Sequence, residues 1–255
     1  MCDAGLLRRF APRNDGLRRQ RVRSTLSGWT EFVAAFAVFL LSHAIPARPA
    51  VRARLVGALG ERGFLIAYSI ESLLVLTWLI VATERAPFVE LWPFETWQMW
   101  VPNLALPLAC QFAAFGIGAA NPLSFGGDPR KPFDPQHPGV VGIVRHPLLW
   151  AIGLWAGAHV VPNGDLAHVL LFGFFAMIAV IGMLIIDRRK RRQLGAERWA
   201  ELAARTSFWP FAALISGRFR PQTWRISSLR LCIGLAAWLS LLLLHPLVIG
   251  VSPLP

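Results

Sequence analysis

The sequence is poor in charge, in acidic residues and in cysteine. Only 16% of its 255 residues are charged and 55% are hydrophobic, which is too apolar for an ordinary water-soluble domain. The three cysteines, Cys2, Cys110 and Cys232, form neither a CxxC pair nor a metal-ligand spacing, so a disulfide framework or zinc site is not indicated. Acidic residues number 14 against 26 Lys and Arg, which gives a net charge of +12.

Apolar runs long enough to cross a bilayer, roughly 17–25 residues, recur along the chain. The sequence therefore predicts an all-α, polytopic integral membrane helix bundle with about six transmembrane helices. The predicted spans are residues 29–47, 63–83, 97–118, 147–161, 166–186 and 226–251. Basic loops follow the first, third and fifth helices, which is typical of the cytoplasmic side of a membrane protein. The positive charge is thereby explained by the bilayer, and no nucleic-acid partner is expected.

The first 28 residues differ from the rest of the chain. Arginines crowd a stretch with little apolar periodicity, which predicts a disordered basic tail before a transmembrane domain of residues 29–255. No small-residue cleavage site follows the first helix, so a signal peptide is not expected. The loop charges place both termini outside, where this tail would have to cross the membrane. Either the helix count is off by one or the start is incorrectly assigned, and we favour the second.

Polar residues inside the apolar helices are the first candidate site. His43 lies near the end of the first helix, and Tyr68 and Glu71 lie one turn apart on the second. An acid near mid-bilayer costs at least about 2.5 kcal/mol, so Glu71 is expected to face the bundle interior. Two interpretations remain open: a neutral, hydrogen-bonded acid that joins two helices, or a proton carrier beside a cofactor or substrate.

Residues 145–165, RHPLLWAIGLWAGAHVVPNGD, form the most distinctive stretch. Pro147 occupies the first helical position and Pro-Asn-Gly closes the far end, so the sequence predicts an uncharged helix between them. Arg145 and His146 lie at its entrance, and His159 lies near its far end. A lone histidine on an apolar helix is usually a core residue, but two on one helix weaken that interpretation. A guanidinium and an imidazole at a helix N-terminus also suit a phosphate or carboxylate.

Four motifs resemble the NnrU family in content and in order. They are LLSHAIPARPAVRARLVGALGERGF (Leu40–Phe64), NPLSFG (Asn121–Gly126), GIVRHPLLW with WAGAHVVPNGD (Gly142–Asp165) and RTSFWPFAALISGR (Arg205–Arg218). NnrU proteins are bacterial inner-membrane proteins associated with denitrification and linked to nitrite and nitric oxide reduction. The resemblance implies a multi-pass protein of the inner, cytoplasmic membrane with a role related to nitric oxide.

The same family includes the plant and cyanobacterial 15-cis-zeta-carotene isomerases, which are membrane haem b proteins that isomerise a hydrophobic polyene without net redox change. The resemblance implies haem b with His43 as one ligand, because it matches the first-helix histidine of the isomerases. His159, thirteen residues after His146, matches their second ligand. The isomerases have a cysteine three residues before that ligand. Here the position is Ala156, which offers no thiolate.

The depth of each histidine along its helix can be used to compare His146 and His159 as the second haem ligand beside His43. At about 1.5 Å per residue in a ~30 Å core, His43 and His159 differ in depth by roughly 8 Å, and His43 and His146 by roughly 12 Å. This difference mildly favours His159 as the second ligand and leaves His146 open. Haem propionates need cationic partners, for which Arg145 and Arg48 are candidates.

A more distant resemblance leads to a different function. An Arg-His-Pro at a helix entrance, followed by a basic aromatic segment, is similar to the isoprenylcysteine methyltransferases and membrane sterol reductases. It implies a nucleotide-type cofactor, an anionic ligand bound by Arg145, His146 and the basic segment after Asp187. Three functions thus remain open: a haem-dependent isomerase-like enzyme with Tyr68 and Glu71 as candidate catalytic residues, a non-enzymatic denitrification accessory protein or sensor, and a nucleotide-binding membrane enzyme. In the plainest alternative, every histidine is structural.

Overall fold

The chain is built from helices. The computed structural model describes residues 14–128, 130–221 and 226–255. Within those ranges there is no strand beyond one isolated bridge, between Glu90 and Asp165. The all-α prediction is confirmed. The chain divides into two compact units, an N-terminal unit (Met1–Val89) and a C-terminal unit (Glu90–Pro255), and each is described on its own.

The N-terminal unit is a helical hairpin of α1 (Asn14–Ala44) and α2 (Pro49–Arg85). The sequence predicts that the first helix begins near Trp29, but the chain is already helical at Asn14, the first described residue, inside the predicted basic tail. The part of that tail before Asn14 lies outside the described residues. Arginine favours helix almost as strongly as leucine does, so this arginine-rich stretch can be helical although it lacks an apolar periodicity.

α2 is longer at its start than the sequence predicts. The basic stretch between the first two apolar runs is predicted as a loop, yet it is helical from Pro49, which takes the first helical position. The helix is kinked at Gly60, whose φ of 72° lies in the left-handed region that glycine adopts without strain. The apolar part of α2 therefore continues from a basic first segment across this kink.

The C-terminal unit holds the remaining described helices. In chain order after a 3₁₀ turn (Thr96–Met99) they are α3 (Trp100–Gly116), α4 (Val140–Ile143), α5 (Pro147–Val160), α6 (Leu166–Leu194), α7 (Ala196–Ala203), α8 (Ala212–Ile215) and α9 (Ser228–Val248). α3 packs against both α5 and α9, and α5 packs against α6. α5 begins at Pro147 and ends within one residue of its predicted bounds.

Small residues allow α3 to approach its neighbours. A Cβ on Gly116 would lie 2.7 Å from Pro147 Cγ, so the end of α3 sits directly against the entrance of α5. A Cβ on Gly234 of α9 would lie 2.6 Å from the amide of Gln111 on α3. The proline ring leaves no room for a side chain at Gly116, so this glycine sets the distance between α3 and α5, whereas the flexible end of Gln111 can move away from a side chain at position 234.

The C-terminal end of α3 is closed by Arg230 of α9. Its Nη1 donates to the carbonyls of Ala114, Phe115 and Ile117 at 2.8, 2.7 and 3.0 Å. The last carbonyls of a helix have no partner within it, and a cation is favourable at that end. Arg230 therefore satisfies the end of α3 and fastens α9 to it.

Three of the described helices are long and apolar enough to cross a membrane by length and composition: α2, α6 and α9. α5 is apolar but shorter, with 14 residues. The other predicted spans are helical where the chain is described, but the count of about six spans is not confirmed. Most side chains of the apolar stretch of α9 are exposed, which is compatible with a lipid bilayer around it.

Candidate functional site

Three of the four sequence motifs meet in a buried polar network at the entrance of α5. NPLSFG, the Arg-His-Pro stretch and RTSFWPF each contribute side chains, and α6 contributes a carboxylate. The members of this RHP network are Asn121, Ser124, Arg145, His146, Asp187 and Thr206.

His146 lies at the centre of the RHP network and is 0% exposed. The Asp187 carboxylate accepts from its Nε2–H at 3.1 Å, and the Ser124 hydroxyl pairs with its Nδ1 at 2.9 Å. The imidazole also meets the ring of Phe208 edge-on, with centroids 6.1 Å apart. Because both ring nitrogens have partners, the side chain has no free lone pair for a metal as it is placed.

Arg145 is held on every side. Its Nη1 donates to Asp187, its Nε donates to Thr206 Oγ1 at 2.8 Å, and its guanidinium lies 5.1 Å from the centre of the Trp199 ring. Its own carbonyl accepts from the Asn121 amide at 2.9 Å. The residue is 7% exposed, so this charge is neutralised inside the protein and not presented to solvent.

Sequence reasoning identifies Arg145 and His146 but misses their acid. Asp187 directly follows the fifth predicted span and falls in the basic loop predicted there, whereas its side chain is 17% exposed and its carboxylate is directed at the RHP network. The sequence gives one indication that Asp187 belongs to the site, which is that this single acid directly follows an apolar run. An acid at that place needs a buried cation nearby. Ser124 and Thr206 are missed as well, since isolated hydroxyl residues carry no distinctive spacing.

His43, in the N-terminal unit, is in a different state. Its Nδ1 donates to the carbonyl of Phe39 at 2.8 Å and lies 3.2 Å from the Ser42 hydroxyl. Its ring lies 4.2 Å from that of Phe39 and 5.8 Å from that of Tyr68, centre to centre. Its Nε2 has no hydrogen-bond partner among the described residues. The imidazole is therefore fixed through one nitrogen and open at the other.

The other candidates in this unit lie close by in the sequence. Tyr68 stacks on Phe64 at 5.8 Å, in addition to its contact with His43. One carboxyl oxygen of Glu71, one turn after Tyr68, is buried and has no hydrogen-bond partner within the described residues. Buried polar atoms are nearly always hydrogen-bonded, so the unsatisfied oxygen of Glu71 indicates a position for a further polar partner. Arg48 is exposed at the start of α2.

His159, in the C-terminal unit, repeats the state of His43. Its Nδ1 donates to the carbonyl of Trp155 at 2.7 Å, again four residues earlier. Its ring lies 5.2 Å from Phe172 and 5.8 Å from Trp155. Its Nε2 likewise has no hydrogen-bond partner in the described part of the chain. Ala156, where the isomerases have cysteine, is 0% exposed and packed inside the bundle.

One further histidine shares part of this pattern. His245 on α9 has its Nδ1 2.7 Å from the carbonyl of Val251, which follows it in the chain instead of preceding it by one turn. Over residues 14–128, 130–221 and 226–255, no group of three or more His, Cys, Asp or Glu side chains could hold a metal ion.

These features define an all-helical protein with helices suited to a membrane, and with a buried polar network formed by its sequence motifs. The chain belongs to the NnrU family, since the family model described as NnrU protein matches residues 31–253. The resemblance inferred from the four motifs is thus confirmed. Comparison with curated proteins and with solved structures finds no match.

Proposed function

We propose that this NnrU-family protein binds haem b, with His43 and His159 as the residues that would hold its iron. The observation that carries the proposal is the state of the two imidazoles. Each donates Nδ1–H to the carbonyl four residues earlier and leaves Nε2 open. Histidines that ligate metals commonly have this arrangement, because the Nδ1–H bond selects the tautomer and orients the ring.

The surroundings of each ring also suit a porphyrin. Both imidazoles are half-buried and lie against aromatic rings, Phe39 for His43 and Phe172 for His159. A haem needs such apolar contacts around its iron and cations for its propionates. Arg48 is exposed five residues after His43, so it is the favoured propionate partner.

When bound, such a haem would supply one-electron chemistry and an iron that a small gas can bind where it displaces one of the two histidines. A role related to nitric oxide is favoured over an isomerase that uses a thiolate, because Ala156 has no sulfur. Isomerisation of a hydrophobic polyene is the alternative, with Tyr68, which contacts His43, and Glu71 as the proposed catalytic residues. A deletion strain separates the two, since it accumulates nitric oxide in the first case and a cis-carotenoid in the second.

The RHP network supports a structural role for Arg145 and His146. A nucleotide-type cofactor would have to replace Asp187 as their partner and would leave that carboxylate buried and unpaired. Such a replacement is expensive, since a buried charge needs its counter-ion. We therefore favour the haem proposal over a nucleotide-binding enzyme.

The test is the absorption spectrum of the detergent-purified protein, oxidised and then reduced with dithionite. A six-coordinate haem gives a Soret band that sharpens on reduction, with distinct α and β bands. His43→Ala and His159→Ala should each lose this spectrum, and imidazole added to the buffer should restore it in variants that fold. His137→Ala is the control, because this exposed histidine pairs with Asp134 and is not a proposed ligand. The absence of a Soret band after expression with added haem, or ligand variants that keep it, would contradict the proposal.

A further inference from the structure

Five consecutive basic residues, the basic segment (Arg188–Arg192), lie at the C-terminal end of α6. They follow the part of α6 from Leu166 to Ile186, which contains no Asp, Glu, Lys or Arg. At about 1.5 Å per residue that part spans about 31 Å, close to the ~30 Å hydrocarbon core of a bilayer. When α6 crosses a membrane, the basic segment therefore begins at the level of the lipid headgroups.

The charge of the basic segment is not neutralised by the described chain. Its four arginines are exposed and Lys190 is half-buried. Asp187, the acid next to it, is directed at Arg145 and His146 instead. No carboxylate of the described residues forms an ion pair with residues 188–192. Five positive charges thus have no counter-ion among the described residues and can attract an anionic partner.

An aromatic residue of α7 lies beside this charge. The chain turns at Gly195, with φ of 82°, and α7 packs back on α6. Trp199 on α7 lies 5.9 Å from the guanidinium of Arg191, measured to the ring centre. Tryptophan is enriched at the headgroup level of membrane proteins, so the ring and the basic segment suit the same environment.

We infer that the basic segment, with Trp199 beside it, binds the phosphate headgroups of anionic phospholipids. Charge complementarity identifies the partner, because these lipids are the abundant anions at the depth where α6 ends. Lys and Arg clusters next to a membrane helix are attracted to such lipids, roughly fivefold in affinity per residue. The site is independent of the proposed haem, since neither His43 nor His159 belongs to it.

The experiment is native mass spectrometry of the full chain in detergent, titrated with phosphatidylglycerol or with phosphatidylcholine. We expect tighter binding of phosphatidylglycerol, and a weakening of roughly 25-fold in R188Q/R189Q, which removes two of the charges. R188K/R189K should bind as the wild type does. R130Q/K131Q is the control with two charges removed elsewhere, where Arg130 pairs with Asp128 and Lys131 donates to a backbone carbonyl.

Equal affinity for the two lipids would overturn the inference, as would wild-type affinity in R188Q/R189Q. An equal loss in R130Q/K131Q would also overturn it, because net charge alone would then explain the binding. The substituted arginines are exposed, so thermal unfolding of R188Q/R189Q should match that of the wild type and a loss of binding is not a loss of fold.

Discussion

Asp187→Ala is the most direct test of the RHP network. The substitution removes the acceptor of the Arg145 guanidinium and of the His146 Nε2–H. Those side chains are 9% and 0% exposed, so both donors lose their acceptor inside the protein. Removing one partner of a buried ion pair costs about 3–5 kcal/mol. That cost is a large part of the about 5–15 kcal/mol that stabilises a typical folded protein.

The assay is reversible unfolding in detergent micelles of a double-mutant cycle that comprises D187A, R145A and R145A/D187A. The double variant should lose about 1–3 kcal/mol less than the sum of the single variants, because contacting residues do not act independently. R198A is the matched control, since Arg198 and Glu201 form an ion pair 2.6 Å long that is more than half exposed. Such exposed pairs contribute about 0–1 kcal/mol. If D187A costs no more than R198A, or if the cycle is additive, the buried network does not stabilise the fold as argued.

Four further substitutions, three in the C-terminal unit and one in α2, are tested by the same unfolding measurement. Arg230→Met should cost about 1–3 kcal/mol, because three carbonyls at the end of α3 lose their donor; a variant as stable as the wild type would show that water replaces the guanidinium. Gly126→Ala should cost about 1–3 kcal/mol, since φ is 82° there and a Cβ would overlap the Leu148 side chain. Gly57→Ala in α2, with open space around it, should instead stabilise by up to about 1 kcal/mol, and the same sign at both glycines would contradict the argument. Asp165→Ala should cost about 0.5–2 kcal/mol, because Asp165 caps α6 through a backbone N–H at 3.2 Å, and D165S should recover most of it.

The part of the structure that sequence could predict is local. Pro147 fixes the start of α5 because its missing N–H is harmless only in the first turn, and the Pro-Asn-Gly turn fixes the end. The apolar runs that become α6 and α9 are recognisable from composition alone. The helical conformation of residues 14–28 could not be predicted in this way, since a basic segment without an apolar face has no periodicity that indicates a helix.

The candidate site also has one part that the sequence can predict and one part that it cannot. His43 and His159 can be identified from the sequence, because each is a histidine inside an apolar run that contains no Asp, Glu, Lys or Arg. The partner of Arg145 cannot, because Asp187 is 42 residues away and its position depends on how α5 packs against α6. The state of His146 depends on the same packing. Sequence spacing therefore gives the candidates, and only tertiary contacts separate an open imidazole from a closed one.

The difference between the closed imidazole of His146 and the open imidazoles of His43 and His159 affects how the sequence motifs are interpreted. Asn121, Arg145 and Thr206 come from three motifs, and each satisfies a buried polar group of another. The loss of any one leaves a buried donor or acceptor unpaired, so the fold alone explains why these motifs occur together. The haem proposal therefore depends on His43 and His159 and not on the Arg-His-Pro motif. An RHP-network variant that loses haem should also lose stability. H159A should lose haem but unfold in the same transition as before, and added imidazole should restore its haem spectrum.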